Sequence, residues 1–259
     1  MPEFLSAFEW YVWPLLFLAG FAGGLVDSIA GGGGLITVPA LLLTGMDPKI
    51  ALGTNKFQSS FGSFTSSTRY IMAGEVKEPK VPWGVFMTLV GAASGTVLVQ
   101  MLDTQLLTKL IPFLLLAIFI YTVLRPKLGE VDKGKKLPEL GFYAVFGLSI
   151  GFYDGFFGPG TGSFWTIAFV SVLGYNLKKA TTHTKVMNFT SNVVSLIVFL
   201  IGGNVNLAAG IAMEVGEVLE ARLGAGLVIK RGTKFIRPIF ITMVGLVMLK
   251  LFWDQFFAG

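Results

Sequence analysis

An all-α, polytopic membrane protein built from two inverted repeats is the fold class this sequence predicts. Three observations lead there: the chain is too apolar for water, it divides into ten hydrophobic elements, and its halves repeat each other. Of its 259 residues 53% are hydrophobic and only 14% charged, with a mean hydropathy of +0.72. Soluble domains carry about 25% charged residues, and a single core of this size does not absorb so many apolar side chains. Stretches such as 111–124 and 239–253 offer water almost no polar face, so lipid is the expected solvent.

Composition removes several classes of function. There is no cysteine, and His183 is the single histidine, so thiolate chemistry, disulfides and a histidine metal cluster are excluded and no metal or cofactor is expected. The net charge is +5, yet the basic residues are not interleaved with exposed aromatics as a nucleic-acid surface requires. Met1-Pro2-Glu3-Phe4 has no basic stretch, so no cleaved signal peptide is expected.

The apolar elements run over 11–30, 35–45, 52–72, 82–101, 106–124, 139–157, 163–175, 180–202, 207–229 and 235–253. Most have the roughly 20 residues a helix needs to cross hydrocarbon. The second and seventh are shorter, and each follows a glycine cluster, which predicts a broken or re-entrant pair with the element before it. Asp27 to Gly34 matches Asp154 to Gly162 at an offset of 127. After a two-residue insertion Gly45, Ala51, Lys56, Gly74 and Val76 fall on Gly174, Ala180, Lys185, Gly203 and Val205 at an offset of 129. Residues 1–130 and 131–259 thus read as two repeats of one membrane domain.

Charge gives the orientation. Segments 73–80, 125–138, 176–179 and 230–237 hold thirteen Lys and Arg, against Lys49, Lys109 and Lys250 on the other side. The first set is expected in the cytoplasm. Five elements per half is odd, so the second half enters from the opposite face, giving inverted repeats with both termini outside. Inverted repeats with glycine-broken helices at matching positions are an architecture of secondary transporters, with the site near the midplane.

Several residues are candidates for chemistry. Gly31, Gly32, Gly33 and Gly34, and Gly160, Thr161, Gly162 and Ser163, stand where a short helix opens. Amide groups unobstructed by Cβ atoms, together with the helix dipole, can hold an anion there. Close helix packing is the competing reading of any single glycine. Asn55, Ser59, Gly62 and Ser66 share one helical face, and Thr184, Asn188, Ser191 and Ser195 repeat the spacing. Such stripes either hydrogen-bond between helices or line a pathway. Lys56 and Lys185 adjoin them, to meet an anionic substrate or to snorkel to the interface. His183 reads as an oxyanion donor, a proton carrier or a satisfied structural imidazole. Asp27 and Asp154 either cap the breaks or carry a coupled proton. Glu214, Glu217 and Glu220 recur at i, i+3, i+6 on a helix whose counterpart, near Gly91 and Gly95, has no acid. They suggest a proton or cation relay, or a contact in a homo-oligomer.

These motifs resemble the sulfite exporter TauE/SafE family, part of the toluene sulfonate uptake permease superfamily. The carrying residues are Ala30 to Gly34 with Val38-Pro39, Ala51-Leu52-Gly53-Thr54-Asn55-Lys56, the echo Gly151 to Phe164, and Ala180 to Lys185. The resemblance implies a multi-pass permease of the cytoplasmic membrane, often an exporter of sulfite, sulfoacetate and other organosulfur anions. One departure is Glu220, which stands where the family often has the second glycine of a Gly-x-x-x-Gly motif starting at Gly216; this argues against ordinary close packing there. The leading expectation is a transporter of small sulfur-containing anions working by alternating access, with Asp27, Asp154, Glu217 and Glu220 as proton-coupling candidates. A passive anion or small-solute channel is the alternative. An intramembrane hydrolase using Ser163 is weak, because His183 is its only imidazole base.

Overall fold

A computed structural model describes residues 9–30, 32–124 and 136–231, with 241, 242, 244–246, 249, 250 and 253; of residues 28–30 and 221–231 it describes the backbone alone. Among these residues all regular structure is helical. The elements are α1 (Val12–Ala30), α2 (Gly34–Leu43), α3 (Pro48–Met72), α4 (Val81–Met101), α5 (Thr104–Leu124), α6 (Glu139–Phe142), a π-helical turn (Tyr143–Gly147), α7 (Leu148–Phe156), α8 (Thr161–Ser171), α9 (Leu177–Ile201) and α10 (Leu207–Arg231). The tenth apolar stretch, 235–253, lies largely outside the described residues, as does Gly31.

Local chemistry sets the helix ends, and it sets them twice. Asp47 caps α3 by accepting the Lys49 amide at 2.8 Å, with Pro48 in the first turn; Asn176 caps α9 by accepting the Lys179 amide at 2.9 Å. These caps start α3 and α9 three to four residues before their apolar runs begin. Both helices stop at a second matched pair, Gly74 (φ +67°) and Gly203 (φ +69°), in a left-handed conformation that favours glycine. The π turn between α6 and α7 has no counterpart in α1.

α4, α5 and α9 are each long and apolar enough to cross a bilayer. Large apolar side chains such as Phe86, Leu98, Phe113, Ile120, Ile197 and Leu200 stand exposed on them. Polar residues lie inside instead: Thr54, Asn55, Lys56, Gln58, Asp154, Thr184 and Ser191 are all buried. This is the arrangement expected when the surrounding solvent is hydrocarbon.

Two helix pairs pack across the halves, α1 on α10 and α4 on α7, while α3 crosses α9 between them. Lipid supplies no hydrophobic drive for helix association, so backbones approach closely where glycine permits. A Cβ at Gly151 would come within 2.6 Å of the Thr88 carbonyl oxygen, and one at Gly95 or Gly155 would overlap the Phe152 or Ala92 carbonyl. On the α1–α10 side Gly20 and Gly216 press against Met213 and Phe17 in the same way. The expectation that Glu220 would prevent close packing is therefore corrected. Glu220 is buried, and Gly24 of α1 provides the room that a glycine on α10 would otherwise have given.

Gly95→Leu is expected to destabilise the protein by at least the ~1–3 kcal/mol typical of overpacking, because a backbone oxygen cannot swing aside. Detergent thermal unfolding and size-exclusion profiles read this directly. Val97→Ala, on the exposed face of α4, is expected to leave both nearly unchanged.

Candidate functional site

The two glycine breaks meet. A Cβ at Gly34, at the start of α2, would lie 3.1 Å from Pro159 Cα in the second break. The second break is itself pinned: Tyr153 Oη donates to the Pro159 carbonyl at 2.5 Å, and Thr161 Oγ1 donates to the Gly158 carbonyl at 2.6 Å. Gly158 (φ +101°) and Gly160 (φ +83°) allow the chain to turn there.

Beside this junction lies a cavity of about 50 Å³, enough for a few waters or one small solute. The breaks contribute Gly33, Gly34, Gly158, Gly160, Thr161 and Gly162. α3 contributes Asn55, Lys56, Gln58, Ser59 and Ser63, and α9 contributes Asn188 and Asn192. Asp27 with Gly23 comes from α1, Asp154 from α7 and Glu217 from α10. Residues 55–63 and 188–192 lie near the middle of α3 and α9, so the cavity sits at mid-height of both helices.

The first-turn amides are partly spent within the breaks: the Leu35 N–H donates to the Gly32 carbonyl at 3.0 Å and the Ser163 N–H to the Gly160 carbonyl at 2.9 Å. Side chains therefore supply much of the cavity's polarity. Lys56 Nζ lies 2.5 Å from Asp154 Oδ1 and donates to Asn192 Oδ1 at 3.2 Å, with only 2% of its side chain exposed. The second Asp154 oxygen accepts the Ser191 hydroxyl. Lys185 Nζ lies 2.8 Å from Asp27 Oδ2. Each lysine thus reaches across to the aspartate of the other half, and the two pairs are duplicates, since Asp154 follows Asp27 by 127 and Lys185 follows Lys56 by 129. Both ammonium groups are paired with carboxylates of the other half, the Lys56 pair fully buried and the Lys185 pair partly open, so neither lysine extends unpaired to an interface.

Other sequence-predicted residues fall elsewhere. His183 is fully buried outside the cavity, its Nδ1 2.8 Å from the Lys179 carbonyl and its Nε2 2.5 Å from Glu78. Tyr175 and Phe169 pack on its ring. Thr184 pairs with Thr166 at 3.2 Å, and Ser163 is buried beyond the cavity wall. Gly32, Lys185 and Glu220 also lie outside the lining, Lys185 behind its partner Asp27 and Glu220 against Gly24. Gln58, Ser63 and Asn192 were not singled out by the sequence pattern, although each lies three or four residues from a stripe position and so on the same face. Gln58 donates to Glu217.

The family model for "Sulfite exporter TauE/SafE" matches residues 16–251. The chain belongs to this family. It is 44% identical over 241 residues to a probable membrane transporter protein of Haemophilus influenzae, covering 93% of this chain and 94% of that one. It is 43% identical to the probable membrane transporter protein YfcA of Escherichia coli K12, covering 93% and 90%. A probable membrane transporter protein of Sinorhizobium sp is 40% identical, with 92% of each chain covered. No solved structure matches. This TauE/SafE member is thus a multi-pass membrane transporter.

Outside the membrane-spanning helices, Glu78 in the α3–α4 turn holds the start of α9. It accepts from Lys179 at 2.6 Å as well as from His183, and a Lys178–Glu75 pair lies alongside. Burial alone would raise the Glu78 carboxyl pKa, but the Lys179 hydrogen bond and the His183 ring outweigh it and hold the value down at about 2. A carboxylate depressed in the folded state stabilises above its unfolded pKa of about 4.5 and loses that contribution as pH falls through about 2. Glu78→Gln is expected to lower the melting temperature at neutral pH, with the difference from the parent shrinking steadily as pH is lowered through that window.

Asp154→Asn leaves Lys56 buried without a counter-charge and is expected to cost about 3–5 kcal/mol. The double variant Lys56→Met/Asp154→Leu is expected to recover part of that loss, as read by detergent unfolding.

Proposed function

We propose that this chain is a secondary transporter that exports small sulfur-containing anions, sulfite or a short organosulfonate, across the cytoplasmic membrane. Two inverted repeats alternate access to the mid-height cavity, and both termini lie outside. The observation that carries this reading is the meeting of two duplicated glycine breaks around a small polar cavity lined by Lys56 and by Asp27, the partner of Lys185.

Several features support it. The packing pairs are reciprocal, with the first helix of each half seated on the fourth helical element of the other, as a pseudo-two-fold axis in the membrane plane requires. The cavity volume suits a compact oxyanion better than an extended organic acid. Lys56, Lys185, Asn55, Asn188 and Ser59, with the amides of the glycine breaks, supply the positive charge and the donors. The family to which the chain belongs is described by sulfite export.

Charge accounting limits the mechanism. Lys56 and Lys185 face Asp27, Asp154 and Glu217, so these five groups, all ionised, sum to one net negative charge before any anion arrives. A further unit charge about 5 Å from an uncompensated carboxylate is opposed by ~3 kcal/mol at an effective dielectric constant near 20. An anion is admitted when a carboxylate takes up a proton or gives up its lysine, which makes coupling to protons part of the proposal. Turnover then alternates which break is open to water, while the ion pairs between the halves re-form around the solute.

Proteoliposomes loaded with labelled sulfite, assayed at mildly alkaline pH to limit passive leak of SO₂, are expected to show saturable efflux. Lys185→Ala is expected to lower that flux at least tenfold. Absence of saturable flux for sulfite and for a series of short sulfonates sinks the assigned substrate class.

A further inference from the structure

The two lysine–aspartate pairs are duplicates in sequence but not in surroundings. Around Lys56 and Asp154 every polar atom is engaged: Asn192 and Ser191 complete the pair, and Gly158 lies against it, so that a Cβ there would sit 2.9 Å from Lys56 Nζ. Side-chain exposure is 2% for the lysine and 4% for the aspartate.

The Lys185–Asp27 pair is open. Lys185 is 12% exposed and Asp27 35%. The residue matching Ser191 is Gly62, which has no hydroxyl to give Asp27. The space beside Gly62 is filled by the carboxylate of Glu217, which a Cβ at that position would overlap. Glu217 is held by the Gln58 amide, and the helix region duplicating it, near Gly91, carries no acid. The groups facing Glu217 are Asp27 on α1, Lys185 on α9, Gln58 on α3, and Glu214 and Glu220 on its own helix, with Tyr70 of α3 disposed toward Lys185. On the same cavity wall Asn188 is 8% exposed and its Oδ1 has no hydrogen-bond partner among the described residues. A half-turn of that amide presents its NH₂ instead, so Asn188 is a polar group waiting for a cavity occupant.

We infer that the pairs divide the work: Lys56–Asp154 is a fixed strut, whereas Lys185 exchanges Asp27 for the transported anion and Glu217 takes up one proton as it does so. The inference rests on the cavity being the transport site and deepens that reading by assigning the proton carrier. The step balances. Before binding, Lys185 is positive and Asp27 and Glu217 are negative, a sum of −1. After a monovalent anion replaces Asp27 on Lys185 and a solvent proton binds a Glu217 oxygen, the sum is again −1. Asp27, released toward its exposed side, keeps its charge. No bond other than O–H is made, and one proton travels with each anion. Gly62 is a positioning residue, because its missing side chain is what admits the Glu217 carboxylate.

The test uses the full chain in proteoliposomes enclosing a pH-sensitive dye, with methanesulfonate as the probe. This anion stays ionised near neutral pH, so any proton that moves with it is carried by the protein. An inward methanesulfonate gradient is expected to acidify the lumen by about one proton per anion. Glu217→Gln and Gly62→Ser are each expected to lower that ratio at least fivefold. Gly62→Ser displaces only the flexible end of Glu217, so it probes the assignment in a protein whose backbone packing is intact. A parallel measurement needs no transported solute: infrared difference spectra between acidic and alkaline samples are expected to show a titrating carboxylic acid C=O band that vanishes in Glu217→Gln. Acidification that persists unchanged in both variants, or a titrating band that survives Glu217→Gln, overturns the inference. A band that behaves as stated without methanesulfonate flux supports the proton site and counts against the sulfonate substrate instead.

Discussion

An ionised side chain deep in a bilayer must find its counter-charge within the protein, and in this chain the partners come from opposite halves. Each half contributes one lysine and one aspartate to these pairs, yet Lys56 pairs with Asp154 and Lys185 with Asp27. Neither half satisfies its own charges. The glycine-lined contacts follow the same rule, since α1 seats on α10 and α7 on α4. Cross-pairing of this kind makes two repeats one folding unit, because separating them leaves four unpaired charges and two exposed glycine faces in hydrocarbon.

That constraint also locates the cavity. Buried ion pairs keep water and polar side chains around them, because their remaining donors and acceptors need partners. Asn192, Ser191, Ser63 and Gln58 gather at the middle of α3 and α9 for that reason. Lipid-facing surfaces can then stay largely apolar, and exposed hydroxyls such as Thr65, Ser94 and Ser149 bond the carbonyl one turn back. The broken helices are tolerated at the same depth because their irregular backbone lines this polar space and does not face acyl chains. Fold and site are consequences of one requirement: polarity at mid-height must be concentrated where both halves can share it.

Much of this was legible in the sequence. Helix existence followed from apolar runs whose length is fixed by the bilayer, and the pairing of breaks followed from the Asp27–Gly34 and Asp154–Gly162 duplication. The starts of α3 and α9 were missed by three to four residues because Asp47 and Asn176 act as caps ahead of the apolar runs. The partners of Lys56 and Lys185 were not legible, because no spacing rule relates residues 98 and 158 positions apart. His183 shows the limit from the other side. Its rarity marked it as a functional candidate, yet its contacts with Glu78, Lys179, Phe169 and Tyr175 come from a turn and a helix that the sequence does not bring together. Glu220 was read against a glycine expected on its own helix, whereas the compensating glycine, Gly24, sits on α1.

The departures from two-fold likeness are as informative as the likeness. Trp165, Phe169, Tyr175 and His183 stand where the first half has Ile36, Ala40, Met46 and Thr54. One end of the scaffold therefore closes on a packed aromatic cluster clamped by Glu78, and the other on aliphatic side chains. Such differences do not set the direction of net movement. In the proposed cycle net movement runs down the summed gradients, so direction belongs to the concentrations of solute and proton on the two sides. What unequal ends do set is the relative stability of the two access states, and each difference of about 1.4 kcal/mol shifts their populations tenfold. In the proposed division of work, Gly62 in place of a second serine acts at the centre on the same balance, since it leaves the Lys185–Asp27 pair more open than its duplicate. In the proposed cycle a duplicated scaffold supplies the two access states, and the unequal residues decide which one the resting protein occupies.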